Sequence, residues 1–136
     1  MAEPVFLNFD QAALDREYDN HAKVPQWREI RTGMDAASAA VRSAAECRLD
    51  QRYGALERER LDVFLPPAAA APAAVHLFFH GGYWLRNDKS GSSYVAPPLT
   101  AMGAIAVVVN YPLIRSATLD VLVHSARTAV AWAHHN

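Results

Sequence analysis

The segment of the sequence best suited to chemistry is His80-Gly81-Gly82-Tyr83-Trp84, which follows the apolar run from Val75 to Phe79. Two adjacent glycines let the backbone turn sharply and present its N–H groups without obstruction by side chains. Ligands of open α/β sheets bind beyond the carboxyl ends of the strands, and the segment is predicted to lie at such an end. Backbone donors that converge on one point stabilise the oxyanion of a tetrahedral acyl intermediate, and the loss of one donor costs about 2.7–4 kcal/mol. The segment is therefore predicted to be an oxyanion-hole loop.

The nucleophile for such chemistry is missing from the sequence. An α/β serine hydrolase carries its serine in a Gly-x-Ser-x-Gly turn, followed in the chain by an acid and a histidine, and the sequence contains no Gly-x-Ser-x-Gly. Ser90, Ser92 and Ser93 lie near the loop but lack this spacing, and we predict that they cap the helix that follows. The predicted site thus has oxyanion donors but no nucleophile, general acid or general base.

Asp120, His124 and Ser125 have the residue types of a catalytic triad but not its geometry. Asp120 and His124 are about one helical turn apart, whereas Ser125 is rotated by about 100° from His124 around the same predicted helix. Because the three side chains cannot converge, we predict a solvated helix face.

Metal and cofactor motifs are also missing from the sequence. His76 and His80 share one side of a predicted strand, but four residues at about 3.3 Å each place them roughly 13 Å apart, too far for one ion. His134 and His135 end the last predicted helix, and no Cys/His or His-Glu-x-x-His spacing accompanies them. The sequence contains no glycine-rich phosphate loop. We predict neither a metal nor a cofactor.

The composition is typical of a single folded domain. The 136 residues are 51% hydrophobic and 20% charged, with a formal net charge of −1. Because acidic and basic residues are intermixed, we expect no nucleic-acid or membrane partner, and the alternating charges of Glu57–Arg60 are predicted to form a solvated face. Prolines and glycines interrupt the uncharged stretch from Val63 to Leu85, and the first residues lack the features of a secretory signal, so a cytoplasmic location is expected.

Hydrophobic periodicity divides the chain into a helical segment, an antiparallel strand pair, a surface connection and a βαβα unit. Their predicted ranges are residues 1–46, 47–66, 67–73 and 74–136. In the first segment, helices are expected from Asp10 to Tyr18 and from Met34 to Ala45, with a break at Gly33. In the second, period-two alternation predicts two half-solvated strands around a Tyr53-Gly54 turn, with the single cysteine, Cys47, half-buried.

The βαβα unit is the part of the chain that must position the loop. Its two continuous apolar runs, Val75–Phe79 and Ala104–Val109, are typical of parallel strands buried on both faces. A crossover helix is expected between them at Ser92–Met102, shortened or kinked by two prolines. A last helix, capped by Ser116 or Thr118, is expected to follow the second run.

The loop motif resembles the signature of the kynurenine formamidases (arylformamidases), a group of hormone-sensitive-lipase-like esterases in the α/β-hydrolase superfamily. Other stretches resemble, in chain order, the N-terminal helix of this family, its first hairpin, the end of its fourth strand and its next helix. These stretches are Leu14–Tyr18, Tyr53–Gly54 with Leu61–Pro66, Val109–Leu113 and Ala129–Trp132. The resemblance covers nearly the whole chain and implies the N-terminal portion of an α/β-hydrolase fold, with an incomplete sheet.

The resemblance implies a hydrolase of N-formylkynurenine, as in tryptophan catabolism, or of a related aryl formamide or carboxylic ester. It assigns the N–H groups of Gly81 and Gly82, with that of Tyr83 as a third, to the oxyanion hole, although many relatives have glycine where this chain has Tyr83. It gives His80 a role in shaping the loop. Tyr83 and Trp84 either line the substrate pocket or pack against the adjacent helix. The implied partner is a small acyl or aryl substrate of the complete protein.

Two non-enzymatic interpretations stay open. In the first, the chain is a truncated or split product. An α/β unit with only two central strands exposes a hydrophobic sheet edge, which can pair with another copy or with a complementary C-terminal half. In the second, the chain is a binding module that keeps the pocket walls without catalysis. Because the loss of a nucleophile costs about 10⁶ in turnover, little or no hydrolysis is expected from this chain alone.

Overall fold

The computed structural model describes residues 3–67 and 72–136. Contacts divide the chain into two units, one that ends at Gly33 and one that begins at Met34. The surface connection predicted for residues 67–73 lies mostly outside the described residues. Within the described part of the chain, no helix is both long enough and apolar enough to cross a membrane.

Helices α1, α2 and α3 precede the sheet and span Gln11–Tyr18, Asn20–Lys23 and Trp27–Ala44. Asp10 caps α1 as predicted, since its carboxylate accepts the N–H of Ala13 at 2.8 Å. The predicted break at Gly33 is wrong, because α3 continues through it. One glycine costs a helix about 1 kcal/mol relative to alanine, and the alanine-rich residues that follow continue the helix.

The described residues form one mixed sheet with the strand order β1-β2-β4-β3. Its strands are β1 (Cys47–Arg52), β2 (Arg60–Phe64), β3 (Val75–Phe79) and β4 (Ile105–Val109). Strands β1 and β4 both pair antiparallel with β2, and β3 pairs parallel with β4. The predicted antiparallel pair and the predicted parallel pair are confirmed, and β2 is the strand that joins them. The prediction that β2 is half-solvated is wrong, because four of its five residues are buried and the strand has neighbours on both sides.

The connection between β3 and β4 is helical, as predicted. A 3₁₀ helix, Lys89–Val95, leads into α4 (Ala96–Ala101), whose first turn contains two prolines. Proline is tolerated there because the missing N–H breaks no hydrogen bond within the helix. The cap of the 3₁₀ helix is Asp88, whose carboxylate accepts the N–H of Ser90 at 3.0 Å. The prediction that serines cap this segment is therefore wrong.

The core lies on both faces of β2 and β4. One face packs against α5 (Leu119–His135), which is capped by Thr118, one of the two caps expected. The other face packs against α4. The two clusters are Tyr53, Leu61, Val63, Val107 and Val109 with Ala129 of α5, and Phe64, Ala106 and Val108 with Ala96 of α4.

Strand β3 is more exposed than its composition suggests. It stands at one edge of the described sheet, and Val75 at its start is 44% exposed. The prediction that β3 is buried on both faces is wrong, whereas β4 is buried along most of its length. Two strands of a parallel pair can have equally apolar sequences, so composition does not reveal which of them lies at the edge.

A buried ion-pair network holds the start of the 3₁₀ helix against β2. Asp62 is fully buried, and its carboxylate contacts Lys89 Nζ at 2.8 Å and the guanidinium of Arg42. Lys89 is also buried, and its ammonium contacts Asp50 at 2.7 Å. Each buried charge therefore has an opposite charge beside it, which is the condition under which ions are tolerated in a protein interior.

A buried carboxylate corrects two further predictions. Glu59 is only 5% exposed, and its oxygens accept the Ser125 hydroxyl at 2.7 Å and the Leu56 N–H at 2.9 Å. The charged stretch Glu57–Arg60 is therefore not simply a solvated face, and neither is the part of α5 at Ser125. Ser125 lies four residues before Ala129, and this spacing places both on the buried side of the helix.

Replacement of Asp62 by alanine is predicted to lower the free energy of unfolding by about 3–5 kcal/mol, because Lys89 and Arg42 lose their buried partner. Chemical denaturation measures this loss. Asp50→Asn is the matched control: Asp50 is 58% exposed, and removal of an exposed partner is expected to cost less than about 1 kcal/mol. Equal losses in the two variants would contradict this account of the network.

Candidate active site

The parallel register of β3 and β4 places two polar residues side by side at the carboxyl end of the sheet. Phe79 is opposite Val109 in this register. His80 and Asn110, the residues that directly follow the two strands, are therefore neighbours, and His80 Nε2 lies 3.1 Å from Asn110 Oδ1. The predicted loop begins at this point, beyond the carboxyl ends of the strands, where ligands of α/β folds bind.

His80 is a buried support of the loop. The residue is 3% exposed, and its ring stacks on Tyr111, with ring centroids 4.5 Å apart. Its Nδ1 lies 2.9 Å from the carbonyl oxygen of Gly81. Burial lowers the pKa of His80, and the opposing contribution of its hydrogen bonds to the Gly81 carbonyl and Asn110 offsets this only in part. The ring is therefore neutral near pH 7.

Asn110 connects the loop to three other parts of the fold. Its Oδ1 accepts the backbone N–H of Lys89 at 2.8 Å and Nη2 of Arg58 at 3.3 Å, and its backbone oxygen accepts the Tyr53 hydroxyl at 2.6 Å. Its Nδ2 donates to Asp88 at 2.6 Å.

Burial by itself raises the pKa of Asp88, but the hydrogen bonds from Asn110 and Ser90 outweigh it and lower the pKa to about 2. Asp88 is therefore a constant acceptor at neutral pH.

The backbone of the loop is strained. Gly82, Tyr83 and Trp84 have φ angles of +127°, +57° and +58°. For residues other than glycine, this left-handed region costs on the order of 1–3 kcal/mol and is found mostly where the surroundings enforce it, often at functional sites. Gly82 is also required sterically, because a Cβ there would overlap the carbonyl oxygen of Arg86.

Hydrogen bonds anchor the carbonyl side of three consecutive peptides in the loop. The carbonyl oxygens of His80, Gly81 and Gly82 each accept a hydrogen bond from another residue. The donors to His80, Gly81 and Gly82 are, in that order, the Tyr111 hydroxyl at 2.6 Å, the Asn87 side-chain amide at 3.0 Å and the Leu85 N–H at 3.0 Å.

The N–H side of the same three peptides is left open. In a planar trans peptide the N–H points away from the carbonyl that precedes it. The anchored carbonyls therefore direct the N–H groups of Gly81, Gly82 and Tyr83 away from the anchors. Among residues 3–67 and 72–136, none of these three groups donates a hydrogen bond to the protein. Such donors are available to a ligand oxygen.

A mainly apolar cavity of about 310 Å³ lies beside the loop. Trp84 is one of its walls. The side chain of Tyr83 is 60% exposed. The residues that line the cavity are Phe79, His80, Trp84, Tyr111, Leu119, Leu122, Val123 and Ala126.

The other candidate residues lie apart from this site. Asp120 and His124 are exposed on α5, and Ser125 contacts Glu59 instead of a histidine. No group of three or more His, Cys, Asp or Glu side chains in the described ranges is arranged to hold a metal ion.

Four residues that support the loop were not identified from the sequence as members of the site: Asn87, Asp88, Asn110 and Tyr111. A signal exists for Asn110 and Tyr111, which directly follow a buried parallel strand and belong to a stretch that resembles the family. Asn87 and Asp88 carry no comparable signal. Asn87 lies only six positions after its acceptor, Gly81, but in an irregular loop whose spacing predicts no contact, and Asp88 contacts Asn110, 22 positions along the chain.

Gly82→Ala is predicted to destabilise the protein by about 1–3 kcal/mol, because alanine disfavours the positive φ and its Cβ meets the Arg86 carbonyl. Thermal or chemical denaturation measures the loss. Gly81→Ala is the matched control, since no atom lies within 4 Å of a Cβ at that position, and its effect is expected to stay within about 0.5 kcal/mol. If Gly81→Ala destabilised the protein more than Gly82→Ala, this description of the loop would be contradicted.

Sequence relatives of the chain include kynurenine formamidases. The enzyme of that name from Danio rerio is 32% identical over 99 residues, which cover 73% of this chain and 34% of the relative. The one from Drosophila melanogaster is 33% identical over 81 residues, which cover 60% of this chain and 27% of the relative. The chain thus spans about a third of the length of these relatives. No protein-family model matches the sequence.

Solved structures share the fold described above. A candidate thioesterase from Silicibacter superposes with a TM-score of 0.82 at 28% identity, over 88% of this chain and 46% of that structure. Esterase B from Lactobacillus rhamnosis superposes with a TM-score of 0.63 at 19% identity, over 84% of this chain and 38% of that structure, a likeness of fold alone. The chain is therefore a member of the α/β-hydrolase superfamily that covers part of the fold, with kynurenine formamidases among its sequence relatives.

Proposed function

We propose that this chain supplies the oxyanion-binding part of a hydrolase that acts on N-formylkynurenine or on a related aryl formamide or carboxylic ester. The observation that carries the proposal is the set of three peptides whose carbonyls are anchored and whose N–H groups have no protein acceptor among the described residues. Unpaired, preorganised donors are what a developing oxyanion requires, because no reorganisation is needed when charge appears. The names of the sequence relatives support the substrate class.

In this proposal each residue of the motif has a separate task. The N–H groups of Gly81 and Gly82 bind the oxyanion, with that of Tyr83 as a third donor. His80 shapes the loop and transfers no proton, which agrees with its burial and with the protein oxygens that face both of its ring nitrogens. Trp84 forms a wall for the aryl group of the substrate. The cavity of about 310 Å³ is at the small end of the range for ligand pockets, which suits a single-ring group.

The nucleophilic serine of the reaction lies outside this sequence in our proposal, since the sequence has no Gly-x-Ser-x-Gly turn. The catalytic acid and histidine lie outside it as well. Loss of the nucleophile reduces turnover by about 10⁶, so this chain by itself binds without efficient hydrolysis. The expected cytoplasmic location stays a prediction.

Benzoate, which joins a carboxylate to one aryl ring, is a direct probe of the proposed site. In an NMR titration, benzoate is expected to shift the amide signals of Gly81, Gly82 and Tyr83. Ala126→Phe, which fills the cavity, is expected to weaken binding by roughly tenfold, as the loss of ring burial predicts. Ala131→Phe, at an exposed position of the same helix, is the control and should bind like the original chain. Amide shifts confined to other regions would exclude the proposed site.

The outer side of β3 forms one edge of the described sheet. Among the described residues, no strand pairs with the outer side of β3. Beside this edge, Trp84, Leu119 and Val123 are large apolar residues that are about half exposed and that line the cavity with Phe79. An exposed hydrophobic edge pairs readily with another strand. We propose that the chain pairs through β3 and that in a solution of this chain alone the partner is a second copy.

Sedimentation velocity at increasing concentration tests this pairing. The original chain is expected to self-associate. His76→Lys, which places a charge on β3, is expected to shift the chain toward monomer, because lysine on an edge strand opposes pairing. Met102→Lys, at a highly exposed position outside the sheet, is the control and should associate like the original chain. A monomer at all concentrations would refute pairing between copies.

A further inference from the structure

We propose that Asn87 is a positioning residue of the site: its side-chain amide sets the orientation of the Gly81–Gly82 peptide and thereby aims the Gly82 N–H. The inference rests on the proposed function of the loop, in which this N–H binds the oxyanion. It adds a residue outside the His-Gly-Gly motif to the machinery of the site.

Two side chains approach the oxygen of this peptide. Nδ2 of Asn87 donates to the carbonyl oxygen of Gly81 at 3.0 Å, and Nδ1 of His80 lies 2.9 Å from the same oxygen. The amide nitrogen of Asn87 always carries hydrogen atoms, whereas a neutral imidazole carries a hydrogen on only one of its two nitrogens. The two contacts are therefore not equivalent.

Both nitrogens of the His80 ring face oxygen atoms. Nδ1 faces the Gly81 carbonyl, and Nε2 faces Oδ1 of Asn110 at 3.1 Å. The orientation of the Asn110 amide is fixed by its other bonds, because Oδ1 accepts the Lys89 N–H and Nδ2 donates to Asp88. A neutral His80 can satisfy only one of the two oxygens, whichever tautomer it adopts. Asn87 keeps a donor on the Gly81 carbonyl in both cases.

The place of Asn87 is determined by the fold. Its φ of +79° lies in the left-handed region, which asparagine tolerates better than most residues. Arg58 Nη2 donates to the Asn87 carbonyl at 2.9 Å, and Nε of the same guanidinium donates to the Tyr111 carbonyl at 2.9 Å. The amide also needs the space left by Gly82, since a Cβ there would lie 2.8 Å from Asn87 Nδ2. The absence of a side chain at Gly82 thus leaves room for the Asn87 amide, which anchors the Gly81 carbonyl.

Two variants separate the amide from the backbone role of Asn87. Asn87→Gly keeps the positive φ and removes the side chain, whereas Asn87→Asp keeps the size and presents oxygen instead of a donor to the Gly81 carbonyl. Both variants are expected to bind benzoate about 3- to 10-fold more weakly, the effect of one hydrogen bond, and to alter the residual dipolar coupling of the Gly82 N–H. If Asn87 served only as a turn residue, Asn87→Gly would bind like the original chain, and the proposal would be overturned.

The dipolar coupling also separates this inference from the proposed function. If the original chain fails to bind benzoate, the proposed function fails. The orientation of the Gly82 N–H in the free protein still decides whether Asn87 sets the peptide. An orientation shared by the original chain and both variants overturns the inference even if benzoate binds.

Discussion

The planar trans peptide is the constraint on which the candidate site depends, because it couples each carbonyl of the loop to the N–H that follows. A donor bonded to the protein could not bind a substrate oxygen, so the N–H groups themselves have to stay free. The structure holds their peptides by the carbonyl oxygens instead, through Tyr111, Asn87 and Leu85. These anchors also explain how three consecutive positive φ angles persist, since strained backbone survives where its surroundings over-determine it.

The rest of the unit after Gly33 serves to place these anchors. The parallel register of β3 and β4 makes His80 and Asn110 neighbours. Both the oxygen and the nitrogen of the Asn110 amide are hydrogen-bonded, and they join the loop to the start of the 3₁₀ helix. That start is held against β2 by the buried Lys89–Asp62 pair. The position of the loop therefore depends on the sheet register, on the buried Asn110 amide and on the buried ion pair together.

The sequence predicted most of what depends on local pattern, with the continuation of α3 through Gly33 and the Asp88 cap as the exceptions, and it missed what depends on contacts between distant segments. The strand pairings, the caps at Asp10 and Thr118 and the position of the loop follow from periodicity and capping residues. The burial of Glu59 does not, because it depends on Ser125, 66 positions along the chain. The edge position of β3 and the role of Asn87 likewise require the assembled sheet and loop. A short pattern can locate a site, but its supports are set by the tertiary structure.

A crystal structure of this chain with bound formate decides whether the loop binds an oxyanion, because formate carries a single carboxylate with the size of the proposed oxyanion. We expect one formate oxygen about 2.7–3.1 Å from at least two of the nitrogens of Gly81, Gly82 and Tyr83, with the three carbonyl anchors unchanged. A structure in which these N–H groups bond to protein acceptors, or point in diverging directions with formate bound elsewhere, would contradict it.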